Sequence, residues 1–544
     1  MRYILLFLTV MVLFAFGQTW LSRYNGPAND EDIAWNMTID DSGYVLVTGS
    51  SWGSGTSYDY LTIMYSPYGE SLWVARYDGS AHGSDEARAI VTNSNRVIVT
   101  GGSAGSNLWT DILTISYNTD GGEQWTSLYN GPSDGNDFGL AITKDNIGNI
   151  YVTGYESGIG TGWDLATVKY NSSGVQQWVG KYSTSDEDYA IGIVASESDI
   201  YVTGNSGNPY TFTWDYVTIR YNATTGDTVW TRRYNGPANE HDEVRAIALD
   251  SDGNICVTGG SANIGSGADF TTIKYSPDGE SLWVRRYNGT ANGADWANAI
   301  AVDSDNNVYV TGYSQDPTND YDFVTVKYDA DGNQQWVVRY DGPVHSYDEG
   351  KAITVDYAGN VYVTGFSTGS GTRSDYTTIK YDASGNEEWV HHYDGPASRQ
   401  DEAVAIALDQ TGGVCITGSS IGNGTGNDYA TLRYLVVGIE EEPNKNQDEQ
   451  DAIIYIHSNP FSNSTTISYQ LFTQSYVNLT LHDITGRTIT SLATGEKKPG
   501  TYNVQFSAMK YNLPKGIYFI HLEVKTNETL LKNQNIVEKL ILTN

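Results

Sequence analysis

The chain has 544 residues, and 65 Asp and Glu stand against 31 Lys and Arg, a formal net charge of −34. Such a surface excludes the backbone of a nucleic acid as partner, because phosphate recognition needs a basic footprint. The acidity is spread through polar, glycine-rich stretches rather than gathered in one tail, so it reads first as a solvated surface.

Arg2 opens the chain, and the apolar run "YILLFLTVMVLFAF" follows it. Small residues at Ala15 and Gly17 then mark a cleavage point before Gln18, so residues 1–17 read as a signal peptide. The run is too short to favour a membrane span, and no later segment resembles one. The mature chain is expected to have no transmembrane segment, to be monomeric and to work outside the cytoplasm.

From there a tryptophan recurs at Trp20, Trp73, Trp125, Trp178, Trp230, Trp283, Trp336 and Trp389, every 52 or 53 residues. A period of this size announces a solenoid, a propeller or an array. In the sixth unit four short segments follow one another: "DWANAIAVD", "NVYVTGYS", "YDFVTVKY" and "QQWVVRY". They are aromatic and β-branched and are separated by Gly/Asn/Asp turns, which predicts four antiparallel strands, A to D. One such sheet cannot bury both faces alone, whereas sheets stacked around an axis bury them between neighbours.

The two ends of the repeat region fix the closure. The last unit has strand A from Asp401, strand B through "VCITG" and strand C ending at Tyr434, but no tryptophan-bearing strand D. The chain begins with that missing piece, "QTWLSRYNGP". The fold class is therefore all-β: an eight-bladed β-propeller over residues 18–435, closed by an N-terminal strand that removes two open sheet edges. Cys256 and Cys415 occupy equivalent places in units three apart, where four other units carry tyrosine, at Tyr151, Tyr201, Tyr309 and Tyr362. They are read as free, buried small hydrophobes.

Residues 436–452 are rich in Glu, Gln, Asn and Asp and read as a linker. Residues 453–544 are richer in lysine, and "TTISYQL", "YVNLTLHDITG", "GTYNVQFSA", "GIYFIHLEV" and "VEKLILT" predict a small C-terminal β-sandwich. This tail resembles the sorting domain of the type IX secretion system of Bacteroidota, through "NPF" at Asn459–Phe461, "LHDITGR" ending at Arg487, "GTY", "LPKGIYF" and the terminal lysine-bearing strand. The resemblance implies a secretion machinery as partner. It also implies passage through the periplasm and across the outer membrane, and then release or attachment at the cell surface. The repeats resemble the bacterial SBBP-type β-propeller family, which supports the fold more than an activity.

Gly-x-Ser-x-Gly occurs at Gly49–Gly53, Gly101–Gly105, Gly365–Gly369 and Gly418–Gly422. A nucleophile elbow needs a strand-to-helix turn with a histidine and an acid nearby. Here the pattern follows strand B and recurs with the repeat, so it is read as scaffold and no catalytic residue is assigned. The acidic A–B turns at Asp40, Asp145, Asp250 and Asp303 lack the further ligands of a calcium loop. Their aspartates have a local use in bonding the turn backbone.

Two aspartates recur in every unit. Strand A opens on Asp32, Asp85, Asp137, Asp188, Asp242, Asp295, Asp348 and Asp401. Strand C opens on Asp59, Asp111, Asp164, Asp215, Asp269, Asp322, Asp375 and Asp428. These strands run the same way, which places both sets toward one rim. Their first reading is structural, as acceptors pinning loops, and their second is a ring of carboxylates for divalent ions. No cofactor is assigned, and calcium is left open.

The strand D tryptophans are expected to pack between blades or on a neighbouring hairpin. Candidate ligand contacts are Trp52, Trp109, Trp163, Tyr210 and Trp214, in or beside the variable B–C loops on the face shared with the D–A loops. The expected function is an exported binding or adhesion-type propeller for a glycan or surface protein. A passive structural surface protein is the first alternative and a carbohydrate-active enzyme the second.

Overall fold

Each repeat folds as one four-stranded antiparallel sheet, because turn residues interrupt the chain at the spacing of short strands. The computed structural model describes residues 15–93, 95–107, 109–208, 211, 213–437, 452–457, 464–471, 473–483, 487–511, 513, 516–526 and 533–542. Most of the expected signal peptide, at 1–14, and most of the linker, at 438–451, lie outside the described residues. Gln18–Leu435 forms one compact unit, and the chain from Val436 belongs to another.

In the first unit, seven sheets take their four strands consecutively. Blade 1 starts with Asp32–Ile39 and blade 7 with Asp348–Val355. The eighth sheet combines Asp401–Leu408, Val414–Ile421 and Asn427–Val437 with the N-terminal strand Ala15–Tyr24, which pairs beside the third of these. The closure read from the tryptophan phase is thus present. The A strands of successive blades touch one another around a complete ring, that of blade 8 touching that of blade 1, so A is the inner strand and D the outer one.

Strands B and C are covered on both faces by the neighbouring blades, which is why they are nearly uninterrupted runs of buried residues. One polar pair recurs inside these runs. A threonine of B meets a threonine of C in every blade, as Thr48 and Thr62 do at 3.0 Å and Thr417 and Thr431 at 2.9 Å. One feature was not legible in the sequence: the A–B ladder slips by one residue in each blade, between Ala34 and Asn36 in blade 1 and between Ala403 and Ala405 in blade 8. Such a bulge adds local twist.

The repeating tryptophan clasps the next blade. Trp20 donates its indole N–H to the Pro67 carbonyl at 3.0 Å, Trp73 to Thr119 at 3.0 Å and Trp230 to Pro277 at 2.9 Å. Each of these acceptors lies in the C–D turn of the following sheet, and the indole covers a glycine there. Gly69 has φ +84°, and a Cβ added to it would stand 2.6 Å from the Trp20 ring. Trp73 covers Gly121 and Trp230 covers Gly279 in the same way. Cys256 and Cys415 are buried and unbridged.

The second unit is a sandwich-like pair of sheets. Ala452–His457, Ser464–Leu471 and Gly500–Ser507 form one, and Thr488–Lys497, Ser475–Asp483, Gly516–Thr526 and Asn533–Leu542 the other. Ile467, Tyr469 and Phe506 from the first pack with Leu479, Leu481, Ile520 and Leu522 from the second. Two strands, Ala452–His457 and Thr488–Lys497, were not read from the sequence. Thr488–Lys497 is an edge strand that buries no side chain fully, so it lacks the apolar alternation that marks the others.

Candidate functional site

The D–A and B–C loops share one face of the ring, and both sets of recurrent aspartates lie on it. All eight residues that open strand A are buried, none more than 1% exposed. Seven of them accept the N–H of the residue six places earlier, a glycine, and thereby hold the D–A loop. Gly79 donates to Asp85 at 2.7 Å, Gly342 to Asp348 at 2.6 Å and Gly395 to Asp401 at 2.7 Å. In blade 4, where the sequence reads "YSTSDED", Thr184 donates to Asp188 from four places earlier at 2.6 Å. Burial raises the Asp137 carboxyl to about 6, against the hydrogen bonds from Gly131 and Ser157. It raises Asp348 to about 6 as well.

The residues that open strand C meet a different partner. The last basic residue of strand D reaches back to them: Arg76 to Asp59 at 2.6 Å, Arg233 to Asp215 at 2.8 Å, Arg339 to Asp322 and Arg23 to Asp428 at 2.9 Å. Asp164 and Asp269 take hydroxyl or amide donors from their loops, such as Thr161 at 3.0 Å and Asn263 at 2.7 Å. In blade 2 the basic position is Leu128, and Asp111 is pushed upward by burial and then by Asp134. In blade 7 it is His392, whose ring nitrogens meet Tyr340 at 3.1 Å and Thr377 at 3.0 Å. Asp375 in that blade is raised to about 6 by burial and by its acidic neighbours Asp394 and Asp401, against the hydrogen bond from Thr372.

The two aspartate sets converge where the D–A loop also begins with aspartate. Asp59, Asp78 and Asp85 form one group, Asp322, Asp341 and Asp348 a second, and Asp375, Asp394 and Asp401 a third. In each group one oxygen per residue lies within 4.8 Å of the others. Elsewhere the loop position is Asn25, Asn130, Asn235, Asn288 or Ser183. A hard divalent cation such as calcium takes oxygen ligands of this kind, but in the first two groups Arg76 and Arg339 already offset the charge.

The acidic A–B turns behave differently. Asp40 accepts the backbone N–H groups of Ser42 and Tyr44, both at 2.9 Å, and Asp303 those of Asp305 and Asn307, both at 2.9 Å. Asp250 also pairs with the buried Lys274 ammonium at 2.8 Å. These carboxylates are committed to their own turns and strands. The serines of the Gly-x-Ser-x-Gly patterns are likewise buried, and Ser51, Ser103, Ser367 and Ser420 each lie directly across the A–B ladder from an aspartate that opens strand A.

The candidate aromatic contacts divide. Trp109 is half exposed, at 50%. Trp163 is 37% exposed although one face lies against Tyr155, with ring centres 4.5 Å apart. Trp52 is half-buried and packs edge-on against Tyr58. Trp214 is buried behind Tyr189, with ring centres 5.2 Å apart, and offers that ring support rather than a surface of its own. Tyr210 lies outside the described residues. The sequence reading missed a second aromatic group, in which Tyr347 packs on Tyr313, Tyr321 and Phe366 at 5.3–6.0 Å. Tyr347 and Phe366 border a cleft of about 360 Å³ between blades 7 and 8, with Thr372, Arg373, Gln400 and Glu402 on its walls. It also missed the strand A residues that follow the opening aspartate. They vary from blade to blade, and Arg88 lies 3.9 Å over the Trp35 ring and Arg245 4.5 Å over Trp296. The signal was available as the positions where strand A departs from its own repeat.

Comparison with known proteins bears on this architecture. Residues 282–317 and 338–371 match the family model described as a beta-propeller repeat, and residues 455–538 match the secretion system C-terminal sorting domain. An uncharacterized WD repeat-containing protein of Acanthamoeba polyphaga mimivirus is 25% identical over 471 residues, covering 74% of this chain. The chain spans 30% of that protein's length. Among solved structures, the extracellular domain assigned to a hybrid two component system from B. thetaiotaomicron aligns at 12% identity. That alignment covers 94% of this chain and 68% of the other, with a TM-score of 0.34. Pyrococcus horikoshii acylaminoacyl peptidase aligns at 10% identity over 71% of this chain and 57% of its own, with a TM-score of 0.36. The chain carries a beta-propeller repeat region and a C-terminal type IX sorting domain, and it is an exported, surface-associated protein. Among the described residues no helix is long and apolar enough to cross a membrane.

Proposed function

We propose that the propeller is a binding module whose loop face holds carbohydrate. The observation that carries this reading is Trp163. It is stacked on Tyr155 and buttressed edge-on by Tyr189, yet more than a third of it faces solvent. A large apolar ring fixed in place and left exposed is a poor core residue and a good platform for the flat face of a sugar ring. The aromatic cleft on blades 7 and 8 offers a second such surface, with polar groups to orient a ligand. Adhesion at the cell surface is the role that this binding would serve in a protein delivered by a sorting domain.

A glycan microarray probed with the full chain tests the proposal. Capture of a defined class of saccharide, weakened at least tenfold by Trp163→Ala with the melting temperature unchanged, is the expected outcome. If the wild-type chain retains no saccharide, the passive structural reading takes its place; if Trp163→Ala binds as wild type, the ring of Trp163 is not the platform and the proposal falls with it.

A further inference from the structure

Three blades bring three carboxylates together on the loop face, and two of these groups contain their own cation. Arg76 is 2.6 Å from Asp59 in the first group, and Arg339 is paired with Asp322 in the second. In the third, the residue in the arginine position is His392, and both of its ring nitrogens are turned to Tyr340 and Thr377. Arg23, the strand D guanidinium of the adjoining blade, is committed to Asp428 at 2.9 Å and Tyr393 at 2.7 Å, and its pull on Asp401 is weaker than the opposing push from Asp394. Arg373 and Arg399, on the flanking loops, form no ion pair with the group among the described residues.

A second observation is independent of the clustering. Asp375 is only 7% exposed. Thr372 donates to its Oδ2 at 2.8 Å, while Oδ1 is buried without a hydrogen-bond partner. An ionised carboxylate oxygen shut away from water, with Asp394 and Asp401 beside it, is strongly unfavourable unless a positive charge joins it. We propose that Asp375, Asp394 and Asp401 bind one calcium ion, which takes the place that an arginine fills in the other two groups.

The geometry suits that ion. Three oxygens mutually within 4.8 Å share a centre no more than about 2.8 Å away, so a small side-chain adjustment brings them to the 2.3–2.6 Å of calcium coordination, with water completing the shell. Thr372 joins the site to the aromatic cleft, since it both donates to Asp375 and lines that cleft. The inference does not depend on the carbohydrate proposal, because the carboxylates would hold the ion with or without a saccharide.

The repeats supply conservative variants. Asp394→Asn installs the residue found at the same position as Asn25, Asn130, Asn235 and Asn288, and His392→Arg installs that of blades 1 and 6. Calcium chloride is titrated calorimetrically into the full chain after chelator treatment, and melting is followed in parallel. The expected result is a binding event with a dissociation constant on the order of 10⁻⁴ to 10⁻³ M, the range of extracellular calcium modules. It should be weakened at least tenfold by either variant and left unchanged by Asp78→Asn and Asp341→Asn. The proposal is overturned if the wild-type chain shows neither heat nor a rise in melting temperature at millimolar calcium. It is also overturned if the binding survives both blade 7 variants, or if Asp78→Asn and Asp341→Asn weaken it equally.

Discussion

Ser51 donates its hydroxyl proton to the carboxylate of Asp32, nineteen residues earlier and directly across the A–B ladder. The serine is the centre of a Gly-x-Ser-x-Gly pattern, and this bond assigns its hydroxyl to the scaffold. Ser51→Ala should therefore cost about 1–3 kcal/mol of stability, the usual penalty for leaving a buried polar partner unsatisfied. The loss is read from the urea midpoint. An activity-based fluorophosphonate probe should leave the wild-type chain unlabelled, and labelling at Ser51 would contradict the structural assignment.

The buried carboxylates that open strand A give stability a definite pH dependence. Burial raises Asp137 from 3.8 to about 6. Between these values the folded chain holds the proton that the unfolded chain has released, so stability falls as pH rises through that window. Against the opposing effect of burial, Asp145 is lowered by hydrogen bonds from its turn and Asp250 by the Lys274 ammonium and then by its turn, and their contribution is lost only as pH falls below about 4. The denaturation midpoint should be higher at pH 4.5 than at pH 7.5. Asp137→Asn should flatten the decline, and a wild-type midpoint that climbs steadily from pH 4.5 to 7.5 would exclude this account.

The glycine under each repeating tryptophan separates packing from backbone strain. Gly69 and Gly55 both have positive φ, +84° and +91°, but only at Gly69 would a Cβ meet an indole, while at Gly55 it meets nothing within 4 Å. Gly55→Ala should cost about 1–2 kcal/mol for the left-handed backbone alone. Gly69→Ala should cost at least about 1 kcal/mol more, because Trp20 must shift from its place over the turn. Equal losses in chemical denaturation would show that the tryptophan clasp contributes nothing at this blade boundary.

Blade number, strand order and closure were legible because they depend on phase, and the strand D tryptophan marks phase in every unit. The A–B bulge was not, because it changes register without changing the residue pattern around Ala34 and Asn36. Local chemistry was harder to read than topology. Trp163 and Trp214 occupy similar loop positions and both touch Tyr189, yet one is exposed and the other is buried. The contrast most useful for function was written in the chain as "WVHHYDG" against "WVVRYDG". It became legible only once strand D was known to return its basic side chain to the aspartate that opens strand C.

That returning charge also tests how the ring is fastened. Arg23, on the N-terminal strand, pairs with Asp428 at 2.9 Å across the closing sheet, while Arg76 makes the same contact with Asp59 at 2.6 Å inside blade 1. The aspartates are both about 7% exposed in their side chains, so removing either arginine strands a buried charge. Arg23→Ala and Arg76→Ala should each cost about 3–5 kcal/mol. Adding Asp428→Asn or Asp59→Asn should recover much of that loss, since the stranded charge is then gone. The two positions should differ in kinetics. Arg23 belongs to a strand tied to its sheet across the whole sequence, whereas Arg76 lies in a hairpin continuous with its neighbours. Release of the N-terminal strand opens the eighth sheet without unfolding any other blade, so Arg23→Ala should also raise protease sensitivity near residues 18–30 under native conditions. Arg76→Ala should not. Equal native-state cleavage in both variants would mean that the closing strand is held no more locally than the rest of the ring.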